Sequence, residues 1–303
     1  MKTVIAYLRL MRPANILTAI ADIMLGYAVT GSVIEIWNSE EKWLINPDIS
    51  ALLWLVIATI GLYGGGVVFN DVFDAELDKV ERPERPIPSG KASIAGGSIL
   101  GALLLLTGVL AAWQVSAVSA ILACVTAALA LIYDKIGKHH DFFGPLNMGA
   151  CRGTNLLLGM SAVTATVYQY WYIALIPVVY ISAITMISRG EVHGKNLKAL
   201  QGGMGLYLLV VLSIAVMGVL EQYHWHAALP FLMLFAYLIF PPLVKAIRKQ
   251  RPQLIGRAVK AGVLSLIVMD SAIAAGFAGI QYGLLILLLL PVSMLLAKAF
   301  AVT

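Results

Sequence analysis

The sequence predicts an all-α fold, a polytopic transmembrane helical bundle of nine or ten helices in a single domain over 1–303. Three observations predict it. Of 303 residues, 60% are hydrophobic and 12% charged, whereas a soluble domain carries about 45–50% apolar and about 25% charged residues. The apolar residues lie in long unbroken runs, as in 52–68 and 284–296. The basic residues gather in alternate loops. Backbone polar groups in hydrocarbon must pair internally, which leaves helices or closed barrels. Barrel strands would be short and alternating; these runs approach the roughly 20 apolar residues of a helical span.

In chain order the runs predict helices at 14–36, 50–70, 93–112, 115–133, 144–164, 168–187, 203–220, 227–247, 258–279 and 283–300. The first follows a short basic stretch (Lys2, Arg9, Arg12). It is too long for the apolar region of a signal peptide and has no clear cleavage pattern, so it reads as a span. The last two are either separate spans or one interrupted segment. No composition shift marks a second domain. Cys124 and Cys151 fall within predicted spans and read as small apolar fillers, without disulfide or metal spacing.

Charge orients the bundle, because basic residues concentrate on the cytoplasmic side. One side collects the N-terminal stretch and four loops: Lys79, Arg82, Arg85 and Lys91; Lys135 and Lys138; Arg189, Lys195 and Lys198; and Lys245, Arg248, Lys249, Arg251, Arg257 and Lys260. Of the 21 basic residues only Lys42, Arg152 and Lys298 fall elsewhere, and Lys298 joins the basic side if there are ten helices. The expectation is an integral, multi-pass protein whose N-terminus and basic loops are cytoplasmic. The net charge of +5 is then a topology signal, and no nucleic-acid partner is expected.

The second predicted helix ends in Asn70-Asp71-Val72-Phe73-Asp74-Ala75-Glu76-Leu77-Asp78. At about 100° per residue, Asn70, Asp71, Asp74 and Asp78 share one side of a helix leaving the bilayer. Clustered carboxylates repel one another and persist where a cation neutralises them. Their oxygens suit Mg2+ or Ca2+, and Mg2+ is usually held by one or two carboxylates together with substrate phosphates. A solvated acidic helix end is the plainer alternative, and a less economical one in a chain with 16 acidic residues. The following loop carries Pro83, Pro86 and Pro88, each of which stops regular helix and extends the residue before it. Arg82 and Arg85 thus sit on a stiffened loop beside the carboxylates, and arginine's planar fork suits phosphate oxygens. Carboxylates beside positioned cations describe a diphosphate site. An anchor loop alone would explain the charges but not the prolines.

These residues carry a family resemblance. The stretch 70–78 resembles the NDxxDxxxD motif of the UbiA superfamily of intramembrane prenyltransferases, and 82–90 resembles the RPxRPIPSG-like run of its chlorophyll-synthase and archaeal geranylgeranylglyceryl-phosphate branches. Arg12-Pro13-Ala14-Asn15 is similar to the family's opening of helix one. Tyr133 and Asp134 fall at its Tyr-containing end of helix four, and Arg152-Gly153 is similar to its helix-five pair. The resemblance implies Mg2+-dependent transfer of a prenyl group from an allylic prenyl diphosphate to a membrane-accessible acceptor (aromatic, alcohol or lipid headgroup), with a lateral opening that admits the tail from membrane lipid. It implies Asn70, Asp71, Asp74 and Asp78 on the metal, with Asp71, Asp74 and Asp78 catalytic; Glu191 and His193 join them as catalytic candidates on their own chemistry. It also implies Asn15, Asn70, Arg82, Arg85, Lys91, Arg152 and Asn155 on substrate, to which Arg189 and Lys195 are added as candidate phosphate contacts. The chemistry suits these residue types. Mg2+ and arginines stabilise a departing diphosphate, and apolar walls keep water from the allylic cation.

The end of the sixth predicted helix departs from the family pattern. Ser188-Arg189-Gly190-Glu191-Val192-His193-Gly194-Lys195-Asn196 holds one carboxylate, where the family usually places two or more aspartates for a second metal. This version is similar to the EboC-like branch. Either Arg189 and Lys195 contact phosphate directly, or the chain is a non-catalytic prenyl-lipid binding protein or transporter of the same fold. His193, with an unperturbed pKa near neutrality, is a candidate base for the acceptor proton; a solvated loop histidine is the plain alternative. His139, His140, His224 and His226 read as interfacial polar residues.

Asp22, Arg152 and Asp270 fall inside predicted helices. An unpaired charge at the bilayer centre costs at least ~2.5–3.5 kcal/mol, so each should face the bundle interior. Arg152 either lies by the cavity with Asn155 one turn on, or makes a structural pair with Asp22 or Asp270; its small neighbours, Gly149 and Gly153 among them, permit close helix approach. Asp22 either lines the acceptor pocket or is structural. Gly64-Gly65-Gly66 admits a close helix or the prenyl tail, and no GxxxxGK[ST] run exists. There is no transporter-like repeat, and the DGxxAR run of CDP-alcohol phosphotransferases is missing.

Overall fold

The computed structural model describes residues 2–38, 47–140, 142–191, 194 and 196–300. The chain opens with α1 (Lys2–Leu10), which meets α2 (Pro13–Val29) at a 45° bend. Arg12 forms the corner with φ 47°, and Pro13 is the first residue of α2. Proline's fixed φ suits a first helical turn, where its missing N–H is not needed.

The single first helix expected over 14–36 is broken. Thr30 Oγ1 donates to the Tyr27 carbonyl at 2.7 Å and to Ser32 Oγ at 3.0 Å, and Gly31 takes φ 83° before α3 (Ser32–Asn38). A positive φ of this kind ends a helix and is readily adopted by glycine. The second helix is longer than expected: α4 runs Pro47–Phe73, and Asp74 separates it from α5 (Ala75–Glu81). Backbone bonds from Asp74 N to the Asn70 carbonyl (3.0 Å) and from Asp78 N to the Asp74 carbonyl (2.8 Å) carry the helical phase across the joint.

Serine caps start the next two helices, satisfying backbone donors that a helix end leaves open. Ser93 accepts from Gly96 N ahead of α6 (Ile94–Trp113), and Ser116 from Ser119 N ahead of α7 (Ala117–Lys135). Then come α8 (Phe143–Met160), α9 (Thr164–Tyr170) and α10 (Leu175–Ser188), the last two joined by a 3₁₀ turn into one 25-residue segment. Asn196 caps α11 (Leu197–Val216). α12 (Trp225–Lys249) contains Pro230, Pro241 and Pro242, and α13 (Pro252–Ala278) begins on a proline. Gly279, at φ 86°, turns the chain into α14 (Ile280–Leu287) and α15 (Leu289–Phe300), so the last two predicted spans are separate.

Eight described helical segments are long and apolar enough to cross a membrane, and the bent α1–α2 pair makes a ninth. The remaining predicted span is α8, whose Asn147, Arg152 and Asn155 lower its hydropathy; it packs against α2, α7 and α10. α13 is the buried hub, in contact with α2, α10, α12 and α14. α6 turns Leu103, Leu106 and Leu110 outward, the face expected to meet lipid. α2 and α8 cross at Gly26 and Gly159. A Cβ on Gly159 would lie 2.5 Å from the Ile23 carbonyl oxygen, and one on Gly26 would lie 2.7 Å from Met160 N. Gly149 and Gly153 give α10 the same close approach, over Val178 and Ala174.

One end of the bundle gathers the basic segments. Arg12 reaches Asp71, Arg85 reaches Asp78, and Lys138 reaches Asp74. Arg82 interacts with Glu191, which lies against Gly256 at the start of α13. Tyr282 Oη donates to the Met24 carbonyl (3.0 Å) and Ser293 Oγ to the Ala14 carbonyl (2.8 Å), so the chain after Tyr282 runs back toward this end and carries Lys298 with it.

Candidate functional site

A cavity of about 360 Å³ opens among six helices. α2 supplies Asn15 and Thr18, α4 Thr59, Leu62, Tyr63, Val67 and Asn70, and α7 Thr126, Ala130, Tyr133 and Asp134. α8 adds Met148, Cys151, Arg152 and Asn155, α10 Ile181, Ile184 and Thr185, and α13 Val263 and Leu266; Arg12 stands at the α1–α2 corner. Apolar walls with a few convergent polar groups are the usual make-up of a ligand site. Gly66 lines the cavity, while a Cβ on Gly65 would meet Gly101 and Leu105 of α6, so Gly65 admits a close helix, one of the two purposes expected of the glycine run.

The acidic stretch at the inner end of α4 is turned inward. Asp71 and Asp78 are each only 4% exposed, and Asn70 and Asp74 are half-buried. Each carboxylate has a cation. Asp71 Oδ1 accepts from Arg12 Nη2 at 2.6 Å and from Arg85 Nη1 at 3.3 Å; the same Arg85 nitrogen donates to Asp78 Oδ2 at 2.6 Å. Asp74 takes Lys138 Nζ. Asn70 Nδ2 donates to Asp134 Oδ1 at 2.9 Å, tying the end of α4 to the end of α7. Buried carboxylates are costly unless paired, and here four segments of chain supply the pairing.

A second polar network stands deeper. Arg152 Nη1 donates to Asp22 Oδ2 at 2.6 Å, and Nη2 to Thr18 Oγ1. Asn155 Nδ2 donates to Asp22 Oδ2 (3.0 Å) and to the Ala19 carbonyl (2.9 Å), while Thr59 Oγ1 donates to Asn155 Oδ1 (2.8 Å). The Arg152 guanidinium lies 5.6 Å from the Tyr63 ring centre. Arg152 therefore satisfies both expectations: it lines the cavity and is ion-paired with Asp22.

The other expected site residues distribute unevenly. Asn15, Asn70, Arg152 and Asn155 line the cavity, and Asp71, Asp74, Asp78 and Arg85 sit beside its mouth. Arg82 and Lys91 are exposed on the same proline loop, and Arg189 caps the end of α10. Glu191 is half-buried; burial pushes its carboxyl up, against the pull of Arg82. His193 and Lys195 lie outside the described residues. Among the described residues no three acidic, histidine or cysteine side chains converge as a ready-made metal cage. Cys151 borders the cavity and Cys124 is exposed on α7; neither forms a disulfide. His140, His224 and His226 line no part of the cavity.

Sequence reasoning left Arg12, Asp134 and Lys138 out of the site. Lys138 reads only as a topology signal, and Arg12 as that and as the first residue of the motif that opens helix one. Asp134, a carboxylate closing an apolar helix, carries a local cue of its own.

The UbiA prenyltransferase family profile matches residues 42–258. A digeranylgeranylglyceryl phosphate synthase of Saccharolobus solfataricus is 30% identical over 183 residues; the matched stretch spans 60% of this chain and 60% of that protein. Among solved structures, a digeranylgeranylglyceryl phosphate synthase superposes with TM-score 0.68 at 21% identity, over 92% of this chain and 99% of that one. A UbiA homologue from Archaeoglobus fulgidus bound to GPP and Mg2+ superposes with TM-score 0.63 at 14% identity, over 91% and 99%. Those structures share the fold, and the profile covers well over half of the sequence: the chain belongs to the UbiA prenyltransferase family.

Proposed function

We propose that this protein transfers a prenyl group from an allylic prenyl diphosphate to a membrane-accessible alcohol or lipid headgroup, with Mg2+ as cofactor, at the end of the bundle where its basic loops meet the cytoplasm. One observation carries the reading: three inward-turned aspartates, Asp71, Asp74 and Asp78, held by Arg12, Arg85 and Lys138 at the mouth of an apolar-walled cavity. The names of the curated relatives support a geranylgeranyl donor and a glyceryl phosphate acceptor.

The donor set fits Mg2+. Asn70, Asp71, Asp74 and Asp78 offer hard oxygens, and Mg2+ needs only one or two carboxylates when substrate phosphates complete its shell. Asn70, Asp71, Asp74 and Asp78 would hold Mg2+, which would supply Lewis-acid stabilisation of the leaving group's charge. The chain's own residues do the rest. Arg12, Arg85 and Lys138 supply positive charge to the diphosphate oxygens, a stabilisation that grows as the C–O bond breaks. Leu62, Val67, Ile181, Ile184, Val263 and Leu266 line the cavity and keep water from the allylic carbon. Arg82, Lys91 and Arg189 are assigned to the diphosphate's outer rim, and Lys195 is a further candidate for phosphate contact. Glu191 and His193 are the candidate groups for the acceptor's proton.

The test uses purified protein in lipid, labelled geranylgeranyl diphosphate and geranylgeranylglyceryl phosphate. The expected result is Mg2+-dependent release of diphosphate with transfer of label to lipid, lost in Asp74→Ala and in Asp78→Ala while both variants still insert. Unchanged turnover in both variants removes the proposed site. Binding of donor without diphosphate release would favour a prenyl-lipid binding protein instead.

A further inference from the structure

Behind the cavity wall lies an arrangement that the transfer chemistry does not itself require. Asp22 and Asp270 are both 0% exposed. Asp22 Oδ2 is satisfied by Arg152 and Asn155, but Asp22 Oδ1 and both oxygens of Asp270 receive no donor among the described residues. The two carboxyl groups meet side chain to side chain. An ionised carboxylate only accepts hydrogen bonds. Two ionised groups here would leave three buried acceptors without a donor, and two like charges beside a single guanidinium, which is strongly unfavourable. The next titratable neighbour, Tyr180 on α10, spends its hydroxyl proton on the Gly262 carbonyl at 2.8 Å.

We propose that Asp270 carries a proton, donates it in a hydrogen bond to Asp22, and so acts as a positioning residue for Arg152. One proton between the two carboxyl groups satisfies the acceptors on the facing side. It also leaves one anion, Asp22, opposite one cation, Arg152. α13 thereby fixes where α8 presents its guanidinium at the cavity wall. The relevance to catalysis rests on the proposed transferase reading; the proton does not.

Two measurements test this on the full chain in lipid nanodiscs. The first is an infrared difference spectrum at neutral pH between the wild type and Asp270→Asn, in H2O and D2O. It should show the carbonyl stretch of a protonated carboxylic acid, shifted by deuterium and missing in the variant. The second compares Asp270→Asn, whose amide N–H replaces the acid donor, with Asp270→Leu, which has none. The amide should keep prenyl transfer within about threefold of wild type, while leucine, leaving a buried acceptor open, should lose about tenfold or more. The proposal falls if the carboxylic-acid band is absent. It falls equally if the amide is as impaired as leucine, or if the pair turns out to hold Na+, seen as a sodium-dependent melting temperature without the band. A protein inactive in every transfer assay would remove the transferase reading and leave the spectroscopic result standing.

Discussion

Arg85 uses one nitrogen for two carboxylates, Asp78 at 2.6 Å and Asp71 at 3.3 Å, so it holds α4 and α5 in one phase across the Asp74 joint. Lysine keeps the charge, but its single ammonium leaves no second nitrogen for the diphosphate once the carboxylates are held. Arg85→Lys is expected to raise the KM for the prenyl diphosphate about tenfold, the scale of one charge-assisted hydrogen bond. Steady-state kinetics at saturating acceptor check it, and an unchanged KM would mean that Arg85 serves the fold alone. The acidic face was legible in the sequence because four polar residues at helical spacing stand out in an apolar chain. Arg85 was legible with them, on the proline loop that follows; Arg12 and Lys138 were not. Arg12 lies 59 positions from Asp71 and Lys138 lies 64 from Asp74, and no local pattern announces such pairings. Lys138 had a sufficient explanation as a topology signal, and Arg12 stood in the motif opening helix one without any sign of its carboxylate partner.

At the scale of elements, the long apolar runs located the helices, and their ends moved where single residues intervene. Gly31 and Asp74 break helices that hydropathy alone extends or merges, because backbone conformation is set by residues the apolar average ignores. α8 shows the reverse: its small and polar residues depress hydropathy, yet it holds the deep end of the site. Its glycines are there because α2 and α10 pass almost backbone to backbone. A methyl on Gly159 would meet the Ile23 carbonyl oxygen at 2.5 Å and the Ile23 Cα at 2.9 Å, both on main chain that has no rotamer to change. Gly159→Ala should therefore cost about 1–3 kcal/mol of stability by overpacking. That corresponds to a fall of several degrees in melting temperature, at roughly 2–4 °C per kcal/mol. Turnover should fall with it, since the same crossing sets Arg152 and Asn155 on α8 against Thr18 and Asp22 on α2. Differential scanning fluorimetry beside the transfer assay checks both, and an unaltered melt would show that the crossing can open to admit a methyl group.

For the molecule as a whole, the mouth of the cavity is balanced charge against charge before any ligand arrives. Arg12, Arg85 and Lys138 pair with Asp71, Asp74 and Asp78, and Asn70 bridges to Asp134, so the N-terminal corner, α4, the proline loop and the α7–α8 turn already hold one another. Mg2+ arriving alone has to compete with three resident cations for those oxygens. Pyrophosphate arriving alone has to compete with the carboxylates for those same cations. Mg2+ and pyrophosphate together exchange both sets of partners at once, metal to carboxylate and phosphate to cation, so neither charge is left uncompensated. The binding of the two is therefore expected to be strongly cooperative. A ligand at about a hundred times its Kd stabilises the folded state by about 2.7 kcal/mol, or several degrees of melting temperature for a chain of this size. Thermal melts should show a small shift with millimolar Mg2+ or pyrophosphate singly, and a shift well beyond their sum with both, reversed by chelator. Asp74→Asn should lose the cooperative part while keeping the protein's unliganded melt close to that of the wild type. If Mg2+ alone produced the whole shift, the carboxylates would be a self-sufficient metal site, and the balanced-mouth account of this end of the bundle would be wrong.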